Sequence, residues 1–191
     1  MKLILASASP RRAEILRDAG FTFSIISSAV DETPFPGESA HEHVVRLAAA
    51  KGELVAARAV GPALVIAADT VVALEDRILG KPRSEEDARR MLEMLSGRTH
   101  TVLTGVQIVR LPDAERVSFV ESTLVHFDQL SREEVSRYLS TAEPHDKAGA
   151  YAIQGRAGRY IPRIEGCYFN VVGLPLARVQ KALNDLGWTE E

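Results

Sequence analysis

The stretch Ser7-Ala8-Ser9-Pro10-Arg11-Arg12 places two adjacent arginines at the first turn of an expected helix, directly after the apolar run Leu3–Ala6. The N-terminal end of a helix dipole is positive and favours anions, so two cations there do little for helix stability. They make chemical sense if an anion docks at that turn, where backbone N–H groups and guanidinium forks can converge on phosphate oxygens. Ser7, Arg11 and Arg12 are therefore candidate phosphate ligands. A solvated arginine pair that only keeps the helix soluble is the alternative.

Asp69 closes the apolar run Ala63–Ala68, and Asp31 and Glu32 lie in a proline-rich loop. Each alone reads equally well as an ordinary turn residue. Converging, such carboxylates would hold a hard divalent cation and activate a water. Lys51 interrupts an apolar helical segment, and Lys81 sits between Gly80 and Pro82 in a rigid turn. Both are suited to neutralising a polyphosphate, although either could be a plain surface lysine. Arg98 and Lys147 add cations in glycine-flanked loops, and Gln154 offers an amide that both donates and accepts hydrogen bonds. His41 and His43 are two residues apart on a helix and so face different directions. With no HExxH motif and a single cysteine, zinc chemistry is not expected. Cys167, in an apolar segment, reads as inert core. Neither a P-loop nor a dinucleotide-binding glycine pattern is present.

The elements that must position these residues follow from patterning. A strand over Lys2–Ala6 precedes a helix with Ser9 at the N-cap, Pro10 at N1 and Gly20 as its stop. The segment Phe21–Val30 alternates as a strand. Ser39 and Glu42 form a capping box for a long helix. A central strand is expected to end at Asp69, before a hairpin around Glu75-Asp76. Ser84 caps a third helix, two long strands joined by Pro112–Glu115 follow, and Ser131 with Glu134 makes a second capping box. A glycine-rich irregular segment, 143–166, leads to a final helix near the C-terminus. The alternation gives an α/β domain with a mixed sheet.

The 191 residues fit one domain spanning 1–191, with 46% hydrophobic and 26% charged residues. The net charge of −3 argues against non-specific nucleic-acid binding. No apolar run is long enough to span a membrane. The short apolar run near the N-terminus precedes its arginines instead of following them, unlike a signal peptide. The lone cysteine fits a reducing cytoplasm.

The motifs SASPRR, AADTVV, LGKP, SGRTH, KAGAYAIQG and GCYFNVVGLP, in that order, resemble the Maf-type nucleoside triphosphate pyrophosphatases over nearly the whole chain. That resemblance implies hydrolysis of a nucleoside triphosphate to the monophosphate and pyrophosphate with Mg²⁺ or Mn²⁺. It also implies clearance of particular nucleotides from the pool, with a link to arrest of septum formation. It assigns Asp69 as proton acceptor, Glu32 to metal or water handling, and Arg12, Lys51 and Lys81 to the phosphates. Asp69 and Glu32 would then be the metal ligands. Arg12, Thr70 and Gln154 resemble the branch acting on dTTP and UTP, not the sister branch acting on 7-methyl-GTP. The implied fold is an elongated α/β domain with a twisted mixed sheet and a central cleft, as in inosine triphosphate pyrophosphatases, and homodimers are common in the family. Two other readings use the same cations: a non-catalytic nucleotide sensor controlling septum formation, and an inosine triphosphate-type pyrophosphatase.

Overall fold

The computed structural model describes residues 1–189. A seven-stranded mixed sheet is built from β1 (Lys2–Leu5), β2 (Ser24–Ile25), β3 (Ala63–Leu74), β4 (Arg77–Leu79), β5 (Thr99–Leu111), β6 (Glu115–His126) and β7 (Arg163–Glu165). The order is β2-β1-β3-β5-β6-β7, with β4 added to β3. Helices α1 (Pro10–Asp18), α2 (Ala40–Ala56), α3 (Glu85–Leu95), α4 (Arg132–Leu139), α5 (Tyr168–Val172) and α6 (Leu176–Asp185) cover it. Among the described residues no helix is long and apolar enough to cross a membrane.

Both capping boxes form: Ser39 and Ser131 accept from the Glu42 and Glu134 amides, and those glutamates reach back to the cap residues. Ser9 and Pro10 take the N-cap and N1 positions of α1, although the Ser9 side chain makes no cap bond. The expected strand over Phe21–Val30 shrinks to two exposed residues, because β2 pairs only with the end of β1. The irregular segment after α4 folds as three short 3₁₀ turns, 143–146, 148–150 and 156–160.

The central strand does not end at Asp69. β3 continues to Leu74 and pairs antiparallel with β5 from Ala63 to Ala73, so the run of residues and the first arm of the hairpin are one strand. β5 occupies one edge of β3 throughout. The other edge is shared by β1, along Ala63–Ile66, and β4, along Val72–Leu74. Residues 67–71 therefore have no strand beside them on that edge, and the opening lies at the middle of the sheet.

Alternate residues of β3 face opposite sides. On one side Leu64, Ile66 and Ala68 pack with α1 and α6, while Val72 and Leu74 pack with α3 and α4 in a second core. On the other side Val65 and Ala67 meet α2. α2 lies so close to β5 that a Cβ on Gly105 would stand 2.4 Å from the Val44 carbonyl oxygen, which accounts for glycine there. The long strands join the two cores, and a cleft divides the helices that cover them.

Candidate active site

A cleft of about 1310 Å³ opens over the unpaired stretch of β3, lined by the turn after β1, the 31–34 loop, α2, the turn after β4, and segments 146–154 and 171–173. Lys51, on the buried face of α2, is the meeting point on one side of the strand. Its ammonium donates to Asp69 Oδ1 at 2.6 Å and Glu32 Oε1 at 2.5 Å. Lys51 and Asp69 are buried, at 5% and 6% exposure, whereas the Glu32 side chain is 46% exposed. Burial pushes the Glu32 carboxyl up, but the hydrogen bond and charge of Lys51, with Lys81 and Arg12, outweigh it and hold the group below its ordinary value. Asp69 Oδ2 makes no hydrogen bond to the described residues, so one oxygen stays open to the cleft. Lys81, largely exposed, reaches Glu32 Oε2 at 4.0 Å from across the opening.

On the other side of β3, Arg12 is buried at 8% exposure. Its Nε donates to the Gly173 carbonyl at 2.8 Å, Nη1 to Ser7 Oγ at 3.0 Å, and Nη2 to Thr70 Oγ1 at 3.0 Å. Burial lowers its pKa, against the opposing pull of Asp69. Thr70 Oγ1 also bonds Thr104 Oγ1 at 2.9 Å, and Thr104 donates to the Asn170 carbonyl. Gly173 has φ 132°, a conformation that suits glycine, and this turns its carbonyl toward the guanidinium. The two arginines of the opening motif thus divide: Arg12 ties three segments together, and Arg11 stays half-buried on the cleft wall.

Ser7, Arg11, Arg12, Glu32, Lys51, Asp69, Thr70, Lys81, Lys147 and Gln154 all line this one cleft. Arg98 does not; it is paired with Glu75 on the surface. Cys167 is half-buried at the start of α5, its backbone tied to Thr123, so it is not a core residue. His41 is exposed and His43 buried, as their spacing requires.

Several positioning residues carry no sequence motif. Glu38 accepts from Arg46 at 2.5 and 2.7 Å and bonds His43 Nδ1 at 2.9 Å. Arg46 also donates to the Thr33 carbonyl and lies 4.0 Å over the Phe35 ring. Arg46, then His43, hold the Glu38 carboxyl far below its ordinary value. The loop carrying Glu32 is thereby fastened to the same helix that carries Lys51. Thr104 is the other addition, its one signal being a threonine inside the apolar strand β5, while Gly173 lies in the GCYFNVVGLP motif with no role read for it there.

Among the described residues no group of three or more His, Cys, Asp or Glu side chains is gathered as a metal cage. Two carboxylates within reach of one ammonium do fit a hard divalent cation of the Mg²⁺ type, which needs one or two carboxylates and takes its remaining oxygens from water and substrate phosphates.

A protein of Carboxydothermus hydrogenoformans named dTTP/UTP pyrophosphatase is 48% identical over 188 residues, 98% of this chain and 100% of its own length. A Geobacillus protein of the same name is 50% identical over 187 residues, 98% of this chain and 99% of its own. The solved Ham1 protein of Staphylococcus aureus shares the fold, with a TM-score of 0.54 at 15% identity over 97% of this chain and 100% of that one. The profile of the family described as Maf-like protein matches residues 2–186, and the chain belongs to that family.

Proposed function

We propose that this protein is a nucleoside triphosphate pyrophosphatase that hydrolyses dTTP and UTP to the monophosphate and pyrophosphate. The observation that carries this reading is Lys51 bridging Asp69 and Glu32 at the floor of a cation-lined cleft. Relatives about half identical over their full length bear the name of that activity.

In this reading water attacks the α-phosphorus and pyrophosphate leaves. Asp69 accepts the water's proton at its open oxygen, while Lys51 fixes the other oxygen and keeps the carboxylate aimed. Negative charge grows on the phosphate oxygens as the bond breaks, and prearranged cations stabilise it. Lys81, Arg11 and Lys147 line the cleft for that purpose, Lys51 can turn part of its charge to the phosphates, and Ser7 adds a hydroxyl. Asp69 and Glu32 would hold a divalent cation, Mg²⁺ or Mn²⁺, which supplies Lewis-acid charge at the phosphate oxygens. Arg12 and Thr70 shape the nucleoside side, and Gln154 reads the base. Thymine and uracil present O4 and N3–H, whereas cytosine reverses that pattern, so CTP leaves the amide mispaired. The cost of a mispaired polar group predicts a preference of at least roughly tenfold in kcat/KM for UTP over CTP.

The nucleotide pool is the natural setting for such an enzyme, which places it in the cytoplasm. We expect a homodimer, to be checked by sedimentation. The activity itself is tested with a nucleotide panel in which pyrophosphate is scored separately from inorganic phosphate. UMP plus intact pyrophosphate, abolished by excess chelator, is the expected result. Release of single phosphates to leave UDP would overturn the reading.

A further inference from the structure

Gln154 stands exposed at the edge of the cleft and makes no hydrogen bond to the described residues. Its neighbours in the chain, by contrast, are tied on both sides. The Ala152 N–H donates to Tyr138 Oη at 3.2 Å, and the Tyr138 hydroxyl donates to Glu143 Oε1 at 2.7 Å. Glu143 then accepts the Arg156 N–H on Oε2 at 3.0 Å and the Ala157 N–H on Oε1 at 3.4 Å. A turn closes between them, with the Gly155 N–H donating to the Ala152 carbonyl at 3.1 Å. The carboxylate presses on this turn so closely that a Cβ on Gly155 would lie 2.3 Å from its atoms. Tyr138 is itself anchored in the α3–α4 core at 4% exposure. Burial, and then Glu143, push its phenol upward, so it remains a donor.

We propose that Glu143 and Tyr138 are positioning residues for base selection: they cinch residues 152–157 so that the Gln154 amide meets the nucleobase in one orientation. The need for them is physical. An unpartnered exposed glutamine on a loose loop could swing its donor and acceptor to suit cytosine as well as uracil. Discrimination by hydrogen bonding requires that the wrong base leave polar groups unpaired, and this holds only if the backbone under Gln154 cannot move. Glu143 supplies two acceptor oxygens at fixed spacing, and Tyr138 carries the constraint into the core. Neither side chain has to touch the substrate.

This inference rests on Gln154 being the base reader, and the experiment separates the two ideas. UTP and CTP kcat/KM values are measured for wild type, Gln154→Ala, Glu143→Gln, Tyr138→Phe and the double variant Gln154→Ala/Glu143→Gln. A glutamine at 143 keeps the size but can accept at only one end, so it cannot serve both the Arg156 and Ala157 amides. Glu143→Gln and Tyr138→Phe should each lower the UTP/CTP ratio by roughly three- to tenfold, the worth of about one hydrogen bond. They should do so mainly by improving CTP relative to UTP, a change that a general loss of stability would not produce. In the double variant the ratio should equal that of Gln154→Ala alone. If Gln154→Ala collapses the ratio while Glu143→Gln and Tyr138→Phe leave it intact, the positioning role is overturned and the base reader stands. If Gln154→Ala itself leaves the ratio unchanged, the reading of Gln154 fails and the proposal falls with it. Should Glu143→Gln not fold, Tyr138→Phe, which loses only a hydroxyl, decides the matter by the same ratio.

Discussion

Asp69 and Thr70 are neighbours on β3, yet they belong to two different chemical regions. The α2 face at this point is ionic: Asp69, Lys51 and Glu32 share short charged contacts, two of the three side chains being buried. The opposite face is a hydrogen-bonded lattice of Arg12, Thr70, Thr104 and the Gly173 carbonyl, with one charge spread over three acceptors. Both depend on the same accident of topology, the stretch of β3 between β1 and β4 that has no partner strand. The difference separates two tasks. A group that moves a proton needs a nearby charge that can readjust, whereas a scaffold that shapes a binding surface needs donors fixed by their partners.

The sharpest way to break the comparison is to neutralise the ionic face. Asp69→Asn should lower kcat by roughly 10²–10⁴-fold, the usual worth of a general base, with nucleotide binding largely kept. Full turnover in that variant would move the base to Glu32. Lys51→Met comes next. It leaves the buried Asp69 beside Glu32 without a cation, and breaking such a pair costs about 3 kcal/mol, the low end of the range because Glu32 is half in water. The sign with pH follows from Glu32. Its carboxyl is held below the ordinary value in the folded protein, so its contribution to stability is present at neutral pH and lost as pH falls through that lowered value. Without Lys51, burial is opposed only by the charges of Lys81 and Arg12, so the group is held down far less. The stability gap between wild type and Lys51→Met, read from urea midpoints, should therefore be widest at pH 7 and narrow as pH falls below the ordinary glutamate value, through the lowered one. A gap that is constant with pH would mean Lys51 acts by packing alone.

The lattice face is tested by Arg12→Lys. Lysine keeps the charge but replaces a planar fork with a single point, so it cannot hold Ser7, Thr70 and Gly173 together. Loss of two charge-assisted bonds, about 1.5–3 kcal/mol each, predicts a fall in kcat/KM of at least roughly a hundredfold, carried chiefly by KM. A fall confined to kcat would place Arg12 in the chemical step and erase the distinction between the faces.

How much of this was legible in the sequence follows the same division. The segment ALVIAADTVVAL shows one polar pair inside an apolar strand, and period-two alternation sends one member to each face. Polar residues after an apolar run look like a boundary, so from sequence alone the pair reads as the end of a strand. The structure keeps the strand going since β5 pairs it from Ala63 to Ala73, and the polarity marks a gap on the far edge instead. The capping boxes and the long β5–β6 hairpin were plain because their signals are local. The Glu38–Arg46 clamp was not, since its partners meet only when a proline-rich loop folds back on α2. The Gly173 acceptor is a backbone carbonyl, to which no residue type points.

The smallest expected effect is also the one that most sharpens the comparison. Thr70→Val preserves shape and β-branching while removing one hydroxyl. Arg12 Nη2 loses its acceptor, which would cost most if no other group could take its place. Thr104, however, keeps its bond to the Asn170 carbonyl and so is not orphaned. Arg12 keeps Ser7 and Gly173. The remaining penalty is close to a single charge-assisted hydrogen bond at the low end of its range, about 1.5 kcal/mol, or roughly tenfold in kcat/KM. Thr70→Ser, which restores the hydroxyl, should recover most of that loss. Asp69 is one residue away, so a change on its face would show as a fall in kcat and a shifted pH profile, and neither should appear. If Thr70→Val loses as much kcat as Asp69→Asn, the two sides of β3 work as one catalytic unit and the division between them is wrong.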